Sequence, residues 1–460
     1  MSEILNRSLS VAVLGSGARE HALALKIAES PFCEKVVVLP GNAGILLSEG
    51  TFLKSSQKQK IFCEPFDSQN IDGLIQKLHQ LKIRLVVIGP DDLLAEGYTD
   101  FLEKEKFLVF GPTKAAAKLE WSKAYAKEVL RKTNIPSAKY STFESLDQKK
   151  FSELVLSLGG YPIVLKQDGL ARGKGVHICY TEEQAHVFLK ECLSRPTKKG
   201  GKPLVVVEEM LQGHEVSLFA ITDGHAYALL EPVCDYKRLL EGNKGPNTGG
   251  MGAYSPVPWF SYKQAQEIGL KIFPPVLKYQ RDMQAPFKGL LYAGLMVQQN
   301  QFWVLEFNSR FGDPETQALL PRLETDLLPL LVVTSQGKLE NFLDEHPLCW
   351  SKKTCVNIVA ASRGYPEEPA VGFEITKCAE TPFGVIEKAW QDYVLYFAGV
   401  RGEADKIQGK LFTSGGRVLS VSTLGESLEK VQNQALQILE KIRFDGIHFR
   451  KDIGKILLDY

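Results

Sequence analysis

Apolar and polar positions along this chain follow two rhythms, and the switches between them mark out its elements. From Val11 the continuous apolar run "VAVLG" passes through a glycine turn into "SGAREHALALKIAE", where Ala18, Ala22 and Leu25 recur at helical spacing. The segments "KVVVLPGNAG", "IDGLIQKLHQ", "RLVVIGPDD" and "FLVFGPT" repeat the exchange. Strands apolar at every position are buried on both faces, so residues 1–118 are predicted to form a doubly wound parallel α/β sheet.

A helical stretch around "WSKAYAKEVLRKT" follows. It stops at "NIPSA", where Pro136 cannot continue a helix, and a linker is placed there. Strand "YPIVLK", glycine-rich "DGLARGKGV", strand "VHICY", a helix from Thr181 and strand "KPLVVVEEML" then make a small α/β unit over about 136–210. "EVSLFAITDGHAYALLEP" reads as a hairpin turned at Asp223 and Gly224. "GLLYAGLMVQQNQFWVLEFNSRFGD" reads as a second antiparallel pair. Beyond 341, strands at "CVNIVAAS", "YVLYFAG" and "RVLSVST" precede a helix with Leu428, Val431, Ala435, Ile438, Leu439 and Ile442 on one face. The expected fold is multidomain, α/β and α+β, with domains at 1–118, 119–340 and 341–460.

Composition narrows the function without naming it. At 460 residues and 44% hydrophobic content, the chain exceeds one ordinary core and sustains several. A net charge of +1 supplies no basic field for nucleic acid or an acidic membrane, so an anionic ligand must be held locally. No run approaches the roughly 18 apolar residues of a membrane span, and the N-terminus lacks a charged segment followed by an apolar one. Eight scattered cysteines, with no C-x-x-C and no metal spacing with the histidines, read as reduced cytosolic thiols. A soluble cytoplasmic chain with small-molecule partners is expected, and a monomer is the expected state.

Four stretches carry residues suited to chemistry. "GSGARE" lies between strand and helix as a dinucleotide site requires. It has Gly15 and Gly17 but Glu20 where a third glycine belongs, and the next strand end offers no acid for a ribose. An NAD site is disfavoured; the turn serves packing or, through the N–H groups of a helix start, another phosphate. "KQDGLARGKGV" departs from the ordinary phosphate loop, because Gly169 and Gly173 enclose only three residues and Gly175 follows Lys174 where Ser or Thr belongs. By itself it suits a turn and a phosphate clamp equally. In "VVVEEMLQGHE", Glu208 and Glu215 would serve an adenine and a ribose, yet a solvated strand end is the simpler reading.

The strongest local signal is "FWVLEFNSRFGDPE". Strand alternation puts Glu306 and Asn308 on one face, about 6–7 Å apart. A carboxylate and an amide oxygen so placed suit magnesium, and an acid inside "VLEFN" is costly without compensation. The metal reading is favoured over a structural pair, with Arg310 and Asp313 just beyond. "DYKRLLEGNKGPNTGGMGAYSP" is a spacer or a substrate loop, and its mixed chemistry and length favour the second.

These pieces, in this order and over nearly the whole chain, resemble the ATP-grasp superfamily and, within it, the phosphoribosylamine-glycine ligase family. "GPNTGGMGAYSP" and "EFNSRFGDPETQ" are its most specific segments; "SGGRVL" and "FDGIHFRKDIG" also match. The resemblance implies an N-terminal substrate domain, an ATP-grasp lid and central domain, and a small α+β C-terminal domain. It makes "DGLARGKGV" a flap over ATP phosphates, using Gly169, Gly173, Lys174 and Gly175. Lys123 and Lys166 match nucleotide lysines, Glu208, Glu209 and Leu211 the adenine lining, and Glu215 the ribose ligand. Glu306 and Asn308 match ligands of Mg2+ or Mn2+, and Arg310 joins Lys174 as the catalytic cation. For the substrates, the resemblance offers Gly17, Arg19, Glu20, Gly41, Asn42, Gly89, Pro90 and Asp91 from the first domain. It adds Asp235, Lys237, Arg238, Asn247, Thr248, Gly249, Gly250, Met251, Gly312 and Asp313.

The implied reaction joins glycine to phosphoribosylamine at the expense of ATP, through glycyl phosphate, in purine biosynthesis. The chain departs from the family pattern at Tyr236, where histidine is frequent, and at Phe397 and Val400; Gln167, Arg172 and "SSQKQK" are also unusual. Phe397 and Val400 are expected outside the phosphate chemistry. Rival readings are a ligase for another acid and amine, an NAD(P)-linked oxidoreductase, and a nucleotide-binding regulator without turnover.

Overall fold

The computed structural model describes residues 8–52, 60–170, 175–194, 203–299, 301–377, 393–402 and 410–455. The flap residues Arg172, Gly173 and Lys174 and nearly all of "SSQKQK" lie outside them.

The first domain alternates β1 (Leu9–Gly15), α1 (Ala18–Ala28), β2 (Cys33–Pro40), α2 (Ala43–Phe52), β3 (Ile61–Cys63), α3 (Ile71–Gln80), β4 (Leu85–Ile88), α4 (Asp91–Glu96), α5 (Tyr98–Lys104) and β5 (Leu108–Phe110). The strands lie in the order β3-β2-β1-β4-β5, all parallel. The two-sided burial read from sequence is literal: Val11, Val13, Val36 and Val87 pack into one cluster, while Ala12, Leu14, Val37 and Val86 pack into another on the opposite face. The first cluster continues into Leu319, Leu327 and Leu331, and α1 and β5 pack against the helices that carry them.

The expected helix after the first domain is two pieces, Lys118–Trp121 and Lys123–Lys132. Ser122 adopts an extended conformation and caps the second piece by accepting from the Tyr125 N–H. Pro136, where a linker is expected, accepts from the Val304 N–H at 2.8 Å through its carbonyl. The lid sheet runs Tyr140–Phe143, Val205–Glu209, Ile163–Gln167, Val176–Cys179, all antiparallel, with helices Gln148–Ser157 and Glu182–Ser194 supplying side chains to its core. The central sheet orders Tyr227–Leu229, His214–Thr222, Gly289–Gln298 and Gln301–Asn308. Its first turn is longer than expected: residues 223–226 connect the strands, and only Gly224 takes a positive φ, +94°, while Asp223 Oδ1 accepts from the N–H groups of His225 and Ala226.

The stretch 235–256 is more ordered than a loop. Arg238–Leu240 and Lys244–Asn247 pair as a hairpin, while Cys234–Asp235 and Gly252–Ser255 extend a sheet otherwise built from Thr354–Ala361, Arg417–Gly425 and Tyr393–Phe397. Residues from well before 341 therefore form two strands of the C-terminal sheet. The final helix ends at Leu439, and Ile442 sits instead in a short strand paired with Lys377. Its side chain still enters the core that the helix faces.

Candidate active site

The strand Gln301–Asn308 positions the central residues. Asn308 pairs with Tyr292 and Glu306 with Gly294, but the register then slips so that Leu295 faces Val304. Such a bulge leaves Leu305 unmatched, and its carbonyl accepts from Lys166 Nζ at 3.0 Å. Phe307 points into the core, whereas Glu306 and Asn308 on the other face are half-buried, as the alternation requires. Burial alone would raise the Glu306 carboxyl, but Lys237, Lys166, Lys123 and Arg310 together hold it below its ordinary range. The Glu306 carboxylate thus stands amid four cations, which also answer to Glu120, Glu208, Glu215 and Asp168, so the site is a dense array of both signs able to hold a polyphosphate and its metal.

The lid completes that cationic wall. Lys123 Nζ donates to the Gly169 carbonyl at 2.9 Å, and burial lowers its pKa against the pull of Glu306 and Asp168. Asp168 accepts from Ser122 Oγ and from the Ala124 N–H, tying the flap's root to the start of a helix. Gly169 has φ +102°, a conformation open mainly to glycine, and Gly175 accepts from the Gln167 N–H at 2.8 Å. Glu208 is no solvated strand end: 2% exposed, it lies 3.1 Å from both Lys127 and Lys166. Burial brings Lys127 down to about 8 despite this partner. Its place is that of a buttress under Lys166. Glu209 accepts from the Lys139 N–H, Leu211 is half-buried, and the exposed Glu215 pairs with Lys237 at 2.8 Å.

Arg310 is anchored from a side the sequence did not reveal. Its Nη2 lies 3.0 Å from Glu120, whose other oxygen accepts from the Ser309 N–H at 2.8 Å. Burial pushes Glu120 up to about 7 in spite of Arg310. Glu120 sits beside "SKAYAK", and that adjacency to a matched motif was the only signal for it. Arg310 Nη2 is also 3.5 Å from Asn308 Oδ1, so guanidinium and amide share one corner.

The first-domain turns are closed largely upon themselves. Glu20 Oε2 accepts from the Gly17 N–H at 2.7 Å and Oε1 from Arg19 Nε at 2.6 Å. A Cβ at Gly89 would lie 2.0 Å from that Oε1, and one at Gly15 2.6 Å from the Glu20 side chain. The carboxylate thus lies in the niche beside Gly15, Gly17 and Gly89 at this helix start. Arg19 Nη1 reaches the Phe311 carbonyl at 3.1 Å. Asn42 is likewise spent on structure, donating to the carbonyls of Ser16 and Phe397. Phe397 thus touches a predicted substrate turn from the C-terminal domain. Gly41 takes φ +68° beside Cys63, Pro90 caps α4, and Asp91 opens that helix within electrostatic reach of Glu120 and Arg310.

In the 235–256 segment the predicted residues divide. Burial pushes the Asp235 carboxyl up although Lys237 opposes it, and its Oδ1 is buried without a partner. Burial would lower Lys237, yet Asp235, Glu215, Tyr292 and Glu306 keep it well above the ordinary lysine value. Arg238 turns to the Gly245 carbonyl within its own hairpin, where Asn247 is its strand partner. Thr248 bonds the Lys237 carbonyl, and Met251 is wholly buried. Tyr236 also faces inward: its hydroxyl donates to the Lys455 carbonyl at 2.9 Å and its ring lies under Arg450. Gly249 donates to Tyr365 Oη and accepts from Arg417, which also bonds the carbonyl and Oδ2 of Asp313. Gly312 leaves room for Glu315, to which a Cβ would approach within 2.5 Å. Arg417 and Glu315 both stand in the matched segments "SGGRVL" and "FGDPETQ", which is the signal that pointed near them.

An antiparallel lid and a second antiparallel sheet, with Lys166 of the first reaching the strand that carries Glu306 and Asn308 in the second, define an ATP-grasp protein. The biotin carboxylase domain of Hydrogenobacter thermophilus 2-oxoglutarate carboxylase shares this fold at a TM-score of 0.67 and 13% identity, over 96% of this chain and 91% of that one. The particular family follows from closer matches. Models of the phosphoribosylglycinamide synthetase N domain, ATP-grasp (A) domain and C domain match residues 9–120, 121–316 and 355–456, and the chain belongs to this family. It is 39% identical to the phosphoribosylamine-glycine ligase of Caldanaerobacter subterraneus, covering 97% of this chain and 99% of that one. It is also 39% identical to that of Streptomyces coelicolor, with the same coverage. The crystal structure of the Thermotoga maritima phosphoribosylamine-glycine ligase superposes with a TM-score of 0.77 at 32% identity, over 97% of this chain and 100% of that one.

Proposed function

We propose that this chain joins glycine to phosphoribosylamine, giving glycinamide ribonucleotide, ADP and phosphate, by way of glycyl phosphate. The overall reaction is the one named by its family and relatives, in purine biosynthesis. The observation that carries the reading is Glu306, held ionised among Lys123, Lys166, Lys237 and Arg310 beside Asn308.

A carboxylate resists nucleophiles, so glycine must first be activated. Its oxygen attacks the γ-phosphorus, the bond to the β-phosphate oxygen breaks, and ADP leaves. The sugar's amine then attacks the acyl carbon, the C–O bond to phosphate breaks, and phosphate departs with the proton that the nitrogen sheds. Little covalent help from side chains is needed, because phosphoryl transfer is accelerated chiefly by alignment and charge. Lys123, Lys166 and Arg310 would bind and orient the triphosphate. Lys174, in the flap, would close over it and keep water from the acyl phosphate. The oxygens of Glu306 and Asn308 fit a hard divalent cation, which when bound would neutralise charge on the β- and γ-phosphate oxygens. We assign Mg2+ to that place, with Mn2+ as an alternative of the same coordination. Glycine and the sugar would lie between Asp235, Lys237, the 248–250 turn and Asp313, with Arg19 and Asp91 at the first-domain edge.

No disulfide joins the described cysteines, and no described helix is long and apolar enough to cross a membrane; the first supports a reducing compartment such as the cytoplasm. The deciding experiment measures ADP formed with ATP, Mg2+, glycine and freshly generated phosphoribosylamine, omitting each in turn. Full rate without glycine would overturn the reading. Glu306→Gln should raise the Mg2+ needed for half-maximal rate by at least the ~10–100-fold that disturbing a metal's surroundings costs, at an unchanged melting temperature.

A further inference from the structure

One carboxylate outside the steps above governs the end of the central strand. The short helix Lys118–Trp121 packs on the strand Gln301–Asn308 and brings Glu120 to the point where that strand ends. The Glu120 side chain is 8% exposed; one oxygen lies 3.0 Å from Arg310 Nη2, and the other accepts from the Ser309 N–H at 2.8 Å. A single acid therefore fixes both the backbone and the side chain that directly follow Asn308. The rest of the guanidinium is loosely held: Nη1 reaches the Phe311 carbonyl at 3.2 Å, and Nε is buried without a partner.

What Glu120 prevents follows from where else Arg310 could turn. Its Nη2 is already 3.5 Å from Asn308 Oδ1, and Arg310 is among the cations that act on the Glu306 carboxylate. Burial would lower the Arg310 pKa, yet Glu120 above all, then Asp91 and Glu315, keep it above the ordinary arginine value. A guanidinium is a fork of five donors that seeks carboxylate and amide oxygens. Released from its strongest partner it must find other acceptors, because a buried charge left unpaired is costly. The amide oxygen of Asn308, assigned above to the metal, already stands beside the nitrogen so freed, with Glu306 on the same strand face. Arginine and a divalent cation then compete for the same lone pairs.

We propose that Glu120 is a positioning residue that keeps the Arg310 guanidinium off the Glu306–Asn308 pair, so that arginine and metal serve one triphosphate from separate places. The inference rests on the metal assignment made above. Glutamine cannot replace the acid: it has one acceptor oxygen where Glu120 uses two, and its amide N–H groups would confront either the guanidinium or the Ser309 N–H.

The test uses the full chain with Glu120→Gln, Arg310→Gln and the two combined, and reads binding as well as turnover. Affinity for a non-hydrolysable ATP analogue is measured by calorimetry with Mg2+ and again in a chelator; the ratio of the two is the strengthening that the metal supplies. In Glu120→Gln that ratio is expected to shrink by at least roughly 10-fold, the lower end of what disturbing the partners around a metal costs, with the glycine KM unchanged. Adding Arg310→Gln should restore the ratio to that of Arg310→Gln alone while turnover stays low, because the competitor for the metal's oxygens is gone. A merely structural Glu120 would weaken binding equally with and without Mg2+, and the second substitution would restore nothing; either result in a folded variant overturns the proposal. Should Glu120→Gln fail to fold, Glu120→Asp, which keeps the charge but falls one methylene short, carries the same readout in the same direction. A wild-type chain whose affinity for the analogue is indifferent to Mg2+ would instead overturn the metal assignment itself, so the two failures are distinguishable.

Discussion

The turn "GSGARE" and the segment "GPNTGGM" are both glycine-rich and both lie at the candidate site, yet they are filled in opposite ways. The space beside Gly15 and Gly17 is taken by Glu20, a few positions on in the same turn. The space around Gly249 and Gly250 is taken by Pro314, Tyr365 and Arg417, the last bonding the Gly249 carbonyl from 168 positions away. The first turn is a local structure that carries its own plug. The second is packed and kept in place by side chains from far along the chain, Tyr365 and Arg417 among them, which makes the C-terminal domain part of the site's construction.

The sharpest way to break this contrast is to remove the far clamp. Arg450 is fully buried, bonds both oxygens of Asp452 and the Arg238 carbonyl, and lies over the Tyr236 ring. Arg450→Met strands the Asp452 charge and should cost about 3–5 kcal/mol, seen as a lowered melting temperature together with loss of turnover. Next comes Arg417→Gln, which removes donors from Gly249 and Asp313 and should cost about 1.5–3 kcal/mol by denaturant titration. Burial would raise the Asp313 carboxyl, but Arg417, Arg19, Gln317 and Arg310 hold it below the usual range. Since its folded pKa is depressed, this contribution is complete above about pH 4 and is lost as the pH falls through the lowered value. The gap between wild type and Arg417→Gln should therefore narrow on acidification; a constant gap would mean that the ion pair is not its source.

Gly250→Ala tests the packing itself. The residue has φ +115° and a Cβ would lie 2.3 Å from the Pro314 ring, which cannot swing aside. About 1–3 kcal/mol of overpacking is expected in thermal unfolding, with a raised substrate KM. Gly17→Ala should be mildest, below about 1 kcal/mol, because its φ of −87° suits any residue and the nearest atom, at 2.9 Å, is the tip of a side chain rather than a ring or backbone. Equal losses at Gly17 and Gly250 would erase the distinction between a self-filled turn and a clamped one.

The uneven legibility of the chain follows the same line. The alternation that places Glu306 and Asn308 on one face was readable because a strand's period needs no partner to define it. The burial of Glu208 was not, because it depends on Lys127 and Lys166 arriving from other elements of the fold. The segment 235–256 looked like a loop because its strands are two to four residues long and one of them, Gly252–Ser255, finds a partner only about a hundred positions on, in Thr354–Ala361. Ile442 looked helical because a buried residue after a helix continues its periodicity whether or not the backbone does.

By itself the sequence determined the parallel first sheet, the order of the domains, the placement of Glu306 and Asn308 on one strand face and the family, since apolar runs, period-two alternation and motif spacing are properties of neighbouring residues. Only the tertiary structure decided that Glu20 seals its own turn, that Glu120 anchors Arg310, that Arg417 and Arg450 hold the 236–250 segment, and that Asp235 and Glu315 keep unpartnered oxygens. The physical reason is that charge and hydrogen-bond satisfaction are settled between side chains brought together from distant parts of the chain, which no local pattern encodes.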